Sequence, residues 1–118
     1  MLTMALNEIE VARIRRVARQ FLERRRPEPS IRNQLDLDFR IENQSVIIFE
    51  IRPVWNDPSK TVEPQIAKAT FVRNRSIWTV FWQRADLKWH RYQPLSEVTN
   101  VEEFFKEVEA DPCGCFWG

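Results

Sequence analysis

The segment 77–92 constrains the fold of this chain more than any other. It reads IWTVFWQRADLKWHRY and contains three of the five tryptophans, the only histidine and the only tyrosine. Aromatic and β-branched residues on both sides of the polar stretch 85–88 predict two antiparallel strands joined by a turn. One short hairpin therefore carries most of the side chains that are suited to unusual chemistry.

The residues before this hairpin predict a second one. Residues 35–41 alternate apolar and charged side chains with a period of two, and the strand 45–52 follows a predicted three-residue turn at 42–44. This turn places Phe39 opposite Ile47 and brings the apolar side chains of both strands onto one face. A slip of one residue would mix the two faces, so the pattern favours this register.

Residues 53–64 contain three prolines and no periodicity, and they predict one long loop with Trp55 as an anchor or an exposed contact. Residues 66–73 predict a strand that pairs with 77–84, which sets small alanines against large tryptophans. The last strand, 89–94, is predicted to follow a four-residue turn.

A helix is predicted at each end of the chain. Asn7 followed by Glu10 has the spacing of a capping box, and Pro27 ends the apolar stripe that comes after it. Asn100 and Glu103 repeat the capping-box spacing before a second helix. We therefore predict an α+β two-layer sandwich over residues 1–118, a single domain. Its five-stranded antiparallel sheet carries the N-terminal and C-terminal helices on one face.

The charge is unevenly distributed along the chain. Residues 1–33 carry a net charge of +4 and residues 96–118 carry −5, although the whole chain carries only +1. The basic and acidic ends are predicted to attract each other within the fold. The alternative is that the arginine-rich first helix binds phosphate or nucleic acid.

Composition excludes several function classes. The only two glycines are Gly114 and Gly118, so there is no glycine-rich phosphate-binding loop after a strand. HExxH, GxSxG and paired CxxC motifs are absent, and Cys113 and Cys115 predict reduced thiols. We predict no metal, no cofactor and no membrane segment, and a cytoplasmic location.

A polar face of the sheet is the predicted site. Trp78 and Trp82 are predicted to point toward the helices, and the opposite face then gathers charged, amide and aromatic side chains. The predicted ligand-binding residues are Glu50, Arg52, Lys68, Gln83, His90 and Tyr92.

The predicted register of the last hairpin pairs Arg84 with Trp89 and Arg91 with Trp82. Both arginines are candidate nucleic-acid contacts, because arginines interleaved with aromatic rings are typical of single-strand platforms. The alternative is that the tryptophans belong to the core and the arginine stems lie over them. His90 beside Tyr92 is a candidate acid/base pair, or simply a half-buried, hydrogen-bonded histidine.

A nuclease is the alternative function. The predicted register sets Asp36 across from Glu50, with Arg52 two residues further on, and paired carboxylates of this kind hold Mg²⁺ in metal-dependent nucleases. Arg52 stands where such enzymes have a lysine, and an arginine cannot act as a base. The competing interpretation is a balanced cluster of surface charges.

Several segments resemble a family of small bacterial proteins that is catalogued only as a domain of unknown function, family 3024. The resemblance rests on residues 82–92, WQRADLKWHRY, and on 4–8, 49–53 and 114–118, in the same order. It implies a bacterial, cytoplasmic, stand-alone domain and brings no activity with it. We therefore expect a binding or interaction module, more consistent with a non-enzyme, whose predicted partners are a nucleic acid or a second copy of the chain.

Overall fold

The computed structural model describes residues 6–117, so residues 1–5 and 118 of the predicted domain 1–118 lie outside the described part. Within it the chain forms two helices and seven strands. The helices are α1, Glu8–Arg25, and α2, Val101–Ala110. The strands are β1, Asp36–Glu42; β2, Ser45–Val54; β3, Asp57–Val62; β4, Gln65–Val72; β5, Ile77–Gln83; β6, Trp89–Arg91; and β7, Glu97–Val98. The predicted α+β class is confirmed, with seven strands instead of five.

The predicted helix starts are confirmed. At α1 the Asn7 side chain accepts a hydrogen bond from the Glu10 backbone N–H at 2.8 Å, and the Glu10 carboxylate accepts one from the Asn7 N–H at 2.9 Å. At α2 the Asn100 side chain accepts from the Glu103 N–H at 3.0 Å. These bonds satisfy backbone donors that have no partner within the helix.

The basic and acidic ends of the chain meet between the two helices. Arg13 pairs with Glu102 at 2.7 Å, and Arg24 pairs with Glu109 at 3.0 Å. The predicted attraction is therefore present as two ion pairs about three turns of α1 apart.

The central strands lie in the order β1-β2-β4-β5-β6, and every neighbouring pair is antiparallel. In addition β3 pairs with the C-terminal end of β2, and β7 pairs with β5.

The long loop predicted for residues 53–64 is wrong, because β2 continues to Val54 and the chain then turns back into β3. Proline is tolerated there because β3 pairs with only one neighbour and needs few N–H donors. Trp55 lies at the turn and is 91% exposed.

The first hairpin differs from the predicted register by one residue. Glu42 lies opposite Ser45 across a two-residue turn, and Phe39 lies opposite Ile48 instead of Ile47. The cause is Asn43, which adopts a left-handed conformation with φ of 53° and closes the shorter turn.

This shift exchanges the faces of β2. Val46 and Ile48 belong to the core beneath the helices, whereas Ile47 and Phe49 point away from them. Glu50 lies two residues after Ile48 and therefore on the same, helix-side face as Val46 and Ile48. Its predicted position on the polar face is wrong. Arg52 pairs with Glu50 at 2.8 Å and does not join that face either.

The hairpin between β5 and β6 is also shifted by one residue. Trp82 lies opposite His90, and the Arg84 N–H donates to the Lys88 carbonyl at 3.3 Å across a three-residue loop. Leu87 makes this loop possible by adopting a left-handed φ of 62°. His90 therefore shares the helix-side face with Trp82, and its predicted place on the opposite face is wrong.

The core lies between the helices and one face of the sheet. The predicted orientation of Trp78 and Trp82 is confirmed, since Trp78 belongs to this core and Trp82 packs against it. Tyr92 is completely buried in the same core, so its predicted exposure on the polar face is wrong as well. Other core side chains are Ile14, Val17, Phe21, Val46, Ile48, Ala67, Ala69, Val80, Phe104, Phe105 and Val108.

Candidate functional site

The sheet face that points away from the helices is the candidate site, and we call it the open face. Its side chains come from alternate positions of β2, β4, β5 and β6, as the register dictates. Its central members are Ile47, Phe49, Lys68, Thr79, Phe81, Gln83 and Trp89. The predicted placement of Lys68 and Gln83 on this face is confirmed.

Apolar residues at the centre of the open face are buried without a helix above them. Ile47 is 3% exposed and Phe49 is 6% exposed, yet neither belongs to the core beneath the helices. The Arg40 guanidinium lies 5.0 Å from the centroid of the Phe49 ring. Long cationic side chains therefore lie flat on this face and cover it.

Lys68 is the central cation of the open face. Its Nζ lies 4.8 Å from the centroid of the Phe81 ring and 4.9 Å from the centroid of the Trp89 ring. Lys68 is directly opposite Phe81 in the sheet, and Trp89 reaches the same face from β6. The two rings therefore attract one ammonium group from two neighbouring strands.

The ammonium of Lys68 differs from the other sheet cations in having no ion pair with any residue between 6 and 117. Burial lowers the pKa of Lys68, and the negative charge of Glu42 opposes that shift only in part. Arg40, by contrast, pairs with Glu42 at 2.7 Å and donates to the Gln65 side chain at 2.9 Å. A partly desolvated cation that forms no ion pair is a place where an anion would bind favourably.

The carboxylate pair on which the nuclease alternative depends is not formed. Asp36 lies opposite Ile51, and Glu50 lies opposite Leu37, so the two carboxylates point to different faces. Arg26 binds Asp36 through two hydrogen bonds of 2.7 and 2.8 Å and lowers the pKa of that carboxyl. Across residues 6–117, no group of three or more His, Cys, Asp or Glu side chains is arranged to hold a metal ion.

His90 and Tyr92, the candidate acid/base pair, do not act together, because each forms a hydrogen bond with a different carboxylate. His90 Nε2 pairs with Asp86 Oδ2 at 2.9 Å near the surface. The buried Tyr92 hydroxyl donates to Glu107 Oε2 at 2.7 Å, and its ring lies 4.7 Å from that of Phe116. Burial and the adjacent Glu107 carboxylate raise the pKa of Tyr92, so the phenol stays protonated and acts as a structural donor.

The two arginines proposed as nucleic-acid contacts lie at the edge of the sheet. The Arg84 guanidinium lies 5.5 Å from the centroid of the Trp82 ring, and Arg91 lies opposite Phe81. The predicted pairs of Arg84 with Trp89 and of Arg91 with Trp82 are wrong, because the hairpin is shifted by one residue. The four-residue turn predicted from the sequence does not place Trp89 on the open face. The observed three-residue turn sets Trp89 opposite Gln83 and close to Lys68.

Comparison with known proteins identifies a family and no activity. A family model described as "Domain of unknown function (DUF3024)" matches residues 6–118. No curated protein matches the chain. No solved structure matches it. Neither α1 nor α2, the helices between residues 6 and 117, has the length and apolar character needed to cross a membrane.

Proposed function

Because the chain belongs to this family, whose description states no activity, we propose from the geometry alone that it is a binding module for single-stranded nucleic acid. The open face is the proposed binding surface. The observation that carries this proposal is the position of Lys68 between the Phe81 and Trp89 rings. Single-strand binding surfaces combine exposed aromatic rings, on which bases stack, with cations that meet the phosphates.

The rings are suited to stacking because they are only partly buried. Phe81 and Trp89 lie on adjacent strands and both retain solvent-accessible surface. Stacking of a base on an aromatic ring contributes about 1–3 kcal/mol and depends little on the identity of the base. The expected ligand is therefore a flexible strand with little sequence preference.

The charge of Lys68 supports the same ligand. A phosphate near its Nζ would supply the counter-ion that the described residues do not supply, and would favour the charged form that burial disfavours. Arg91 lies opposite Phe81 on the same strand as Trp89 and extends the positive charge toward the sheet edge. Phosphate binding of this kind releases counter-ions and is weakened by salt.

Fluorescence anisotropy with a labelled single-stranded oligonucleotide tests the proposal. Trp89→Ala is expected to weaken binding by about 5- to 100-fold, which corresponds to one lost stacking contact. Lys68→Ala is expected to reduce the slope of log affinity against log salt by about 0.7, the value for one phosphate contact on a single strand. Lys106→Ala removes an exposed lysine from α2 and serves as the matched control.

Two outcomes would overturn the proposal. The first is equal binding by the wild type and the Trp89→Ala and Lys68→Ala variants. The second is a dimer in light scattering that Phe81→Ala dissociates, without binding of oligonucleotide by the wild type. That second result would assign the open face to self-association.

The metal-dependent nuclease stays a prediction with its own test. Cleavage of the oligonucleotide in Mg²⁺ that is lost in both Asp36→Asn and Glu50→Gln would support it, although the two carboxylates lie on different faces. The absence of such cleavage would exclude this alternative and leave the binding proposal to its own test. We propose a cytoplasmic location, because the free thiols of Cys113 and Cys115 are typical of a reducing compartment, and a bacterial source, which only the family resemblance suggests. Cell fractionation of a native host tests that location.

A further inference from the structure

The outer edge of the sheet at β1 is open to a further strand. β1 pairs with β2 on one side, and no other strand between residues 6 and 117 pairs with it. This edge is seven residues long, Asp36–Glu42, whereas β6 at the opposite edge has only three residues. A long unpaired strand presents a row of backbone donors and acceptors to a partner chain.

Leu37, Phe39 and Ile41 direct their backbone groups away from β2. On the other side of β2, the Glu50 N–H donates to the Pro64 carbonyl at 2.9 Å, so alternate residues of β2 bond away from β1. Their opposite residues in β1 therefore bond outward. In agreement, the N–H groups of Leu37 and Phe39 each donate at 2.8 Å to the carboxylate of the preceding aspartate. The carbonyls of an added strand can take the place of these local acceptors.

The side chains at this edge are apolar on one face and charged on the other. Phe39 and Ile41 pack against the core on the helix side and remain partly exposed. Asp38 and Arg40 lie on the open face. Asp38 is exposed and forms no ion pair with any residue of the described part. An added strand would cover the remaining apolar surface and place a side chain opposite Asp38.

We infer that this edge binds the same edge of a second copy of the chain, antiparallel and centred on Phe39. In that register Phe39 lies opposite Phe39 of the second copy, and Leu37 lies opposite Ile41 of the second copy. The outward backbone groups of both strands then meet as hydrogen-bonded pairs. Asp38 lies opposite Arg40 of the second copy, and the two-fold symmetry forms this pair twice.

Charge selects this register among the symmetric alternatives. A centre at Asp38 would set two aspartates opposite each other, and a centre at Arg40 would set two arginines opposite each other. Like charges in directly opposed positions are destabilising. The register centred on Phe39 has like charges only at its ends, where Asp36 lies opposite Glu42. Each of these carboxylates already pairs with an arginine of its own chain, at 2.7 Å.

The expected dimer is weak. Pairing of one strand covers less surface than a standard interface of about 1,600 Å², and Arg40 already pairs with Glu42 in its own chain. We therefore expect a dissociation constant of roughly 10–100 µM. Because the two-fold axis is perpendicular to the sheet, the open faces of both copies would lie on the same side of one continuous sheet.

Sedimentation equilibrium of the full chain over a concentration series tests the inference. Asp38→Arg is expected to weaken the dimer by about 10- to 100-fold, because it replaces two attractions by two repulsions. Arg40→Asp should weaken it in the same way, and the double variant that carries both changes should restore it. Glu8→Arg makes the same change of net charge as Asp38→Arg at an exposed position of α1 and should leave the dimer unchanged.

Hydrogen exchange locates the interface. The amides of Phe39 and Ile41 should exchange more slowly above the dissociation constant than below it. Phe81→Ala should keep the dimer, which separates this edge from self-association through the open face. A monomer at concentrations up to roughly 1 mM, a dimer that Asp38→Arg does not weaken, or a double variant that stays monomeric would overturn the inference. Asp36 and Asp38 would then be charges that protect the edge from pairing.

Discussion

The two faces of the sheet are built from the same strands and are covered in opposite ways. On the helix side, α1 and α2 supply apolar side chains, and the core residues Phe104, Val46 and Ala67 are completely buried. On the open face, Phe49 and Phe81 are covered by the side chains of Arg40 and Lys68, which lie over the rings. One face is covered by the packed helices and the other by charged side chains.

The difference indicates where stability and binding reside. Apolar burial under a helix removes ring surface from water permanently and contributes about 25 cal/mol per Å². A lysine stem over a ring provides less contact, and its ammonium keeps one side in solvent. We therefore expect substitutions under the helices to lower the free energy of unfolding, and substitutions of the partly exposed open-face residues Lys68, Phe81 and Trp89 to change binding with a smaller effect on that energy.

Truncation of a core phenylalanine should have the largest effect. Phe104→Ala is expected to lower the free energy of unfolding by about 3–5 kcal/mol, because Phe104 is fully buried and leaves a cavity against Phe105. Phe81→Ala on the open face should cost only about 1 kcal/mol, since the ring keeps solvent contact. Urea denaturation measures both. Should Phe104→Ala fail to fold, Phe104→Leu replaces it, and equal costs for the two faces would contradict the comparison.

Loss of the buried tyrosine hydroxyl should have the next largest effect. Tyr92→Phe removes the 2.7 Å hydrogen bond to Glu107 and is expected to cost about 1.5–3 kcal/mol, as for a hydrogen bond to a charged group. Thr70→Val is the matched control on the open face. It removes a 2.7 Å hydroxyl contact with Ser45 and should cost about 0.5–1.5 kcal/mol. A smaller effect for Tyr92→Phe than for Thr70→Val would show that the helix side is less tightly packed than its burial indicates.

The elements predicted correctly are those that depend on neighbouring residues. The capping box of α1 follows from Asn7 and Glu10 three positions apart, and the β4–β5 register follows from matching Ala67 with Trp82. The first pattern is complete within four residues, and the second lies within two consecutive strands. Local chemistry of this kind does not depend on how the rest of the chain folds.

The errors arose at turns without glycine. Asn43 and Leu87 adopt left-handed conformations, and each changes its turn length by one residue. Because side chains alternate with a period of two, one residue is enough to move Glu50, His90 and Tyr92 to the other face. The left-handed conformation of Leu87 could not be predicted from its residue type, because this conformation is sterically unfavourable for leucine and is stabilised only by the surrounding structure. The strand character of residues 57–62 was hidden for another reason, because Pro58 within this segment favours a loop when the strand's pairing is unknown.

Acid should weaken the ion pairs that hold α1 to the rest of the domain. Glu10 has a pKa lowered by Arg73 and by the Asn7 N–H, and Asp36 has a pKa lowered by Arg26. A lowered folded-state pKa gives stability that is present above the unfolded-state pKa and is lost as the pH falls through the folded-state value. These pairs join α1 to the sheet, and each should contribute about 0.2–1 kcal/mol.

Urea denaturation across acidic pH measures this loss. Asp36→Asn should flatten the pH dependence, because the carboxyl that titrates is gone. Asp38→Asn is the control, since Asp38 is an exposed neighbour without an ion pair among the described residues. An unchanged slope in Asp36→Asn would show that the Arg26 pair does not hold α1 to β1.

The smallest effect on stability should come from Lys68, although its effect on binding should be large. Burial lowers the folded-state pKa of Lys68, so the charged side chain costs stability below that pKa and the cost disappears as the pH rises toward the unfolded-state value. Lys68→Met keeps the apolar stem over Phe81 and Trp89 and removes the charge. It should leave the free energy of unfolding unchanged or raise it by about 0.5 kcal/mol, and it should abolish the rise of stability at alkaline pH.

If Lys68→Met costs no stability, the ammonium group is not needed to hold the fold together. Lys68→Met therefore distinguishes the roles of the two faces most clearly, because the free energy of unfolding should stay the same or rise while oligonucleotide binding weakens. Chemical denaturation and anisotropy on the same preparation measure both quantities. If Lys68→Met lost stability instead, the ammonium would be a structural part of the open face in the way that Arg13 and Arg24 are structural between the helices, and the proposed binding surface would lose its central cation.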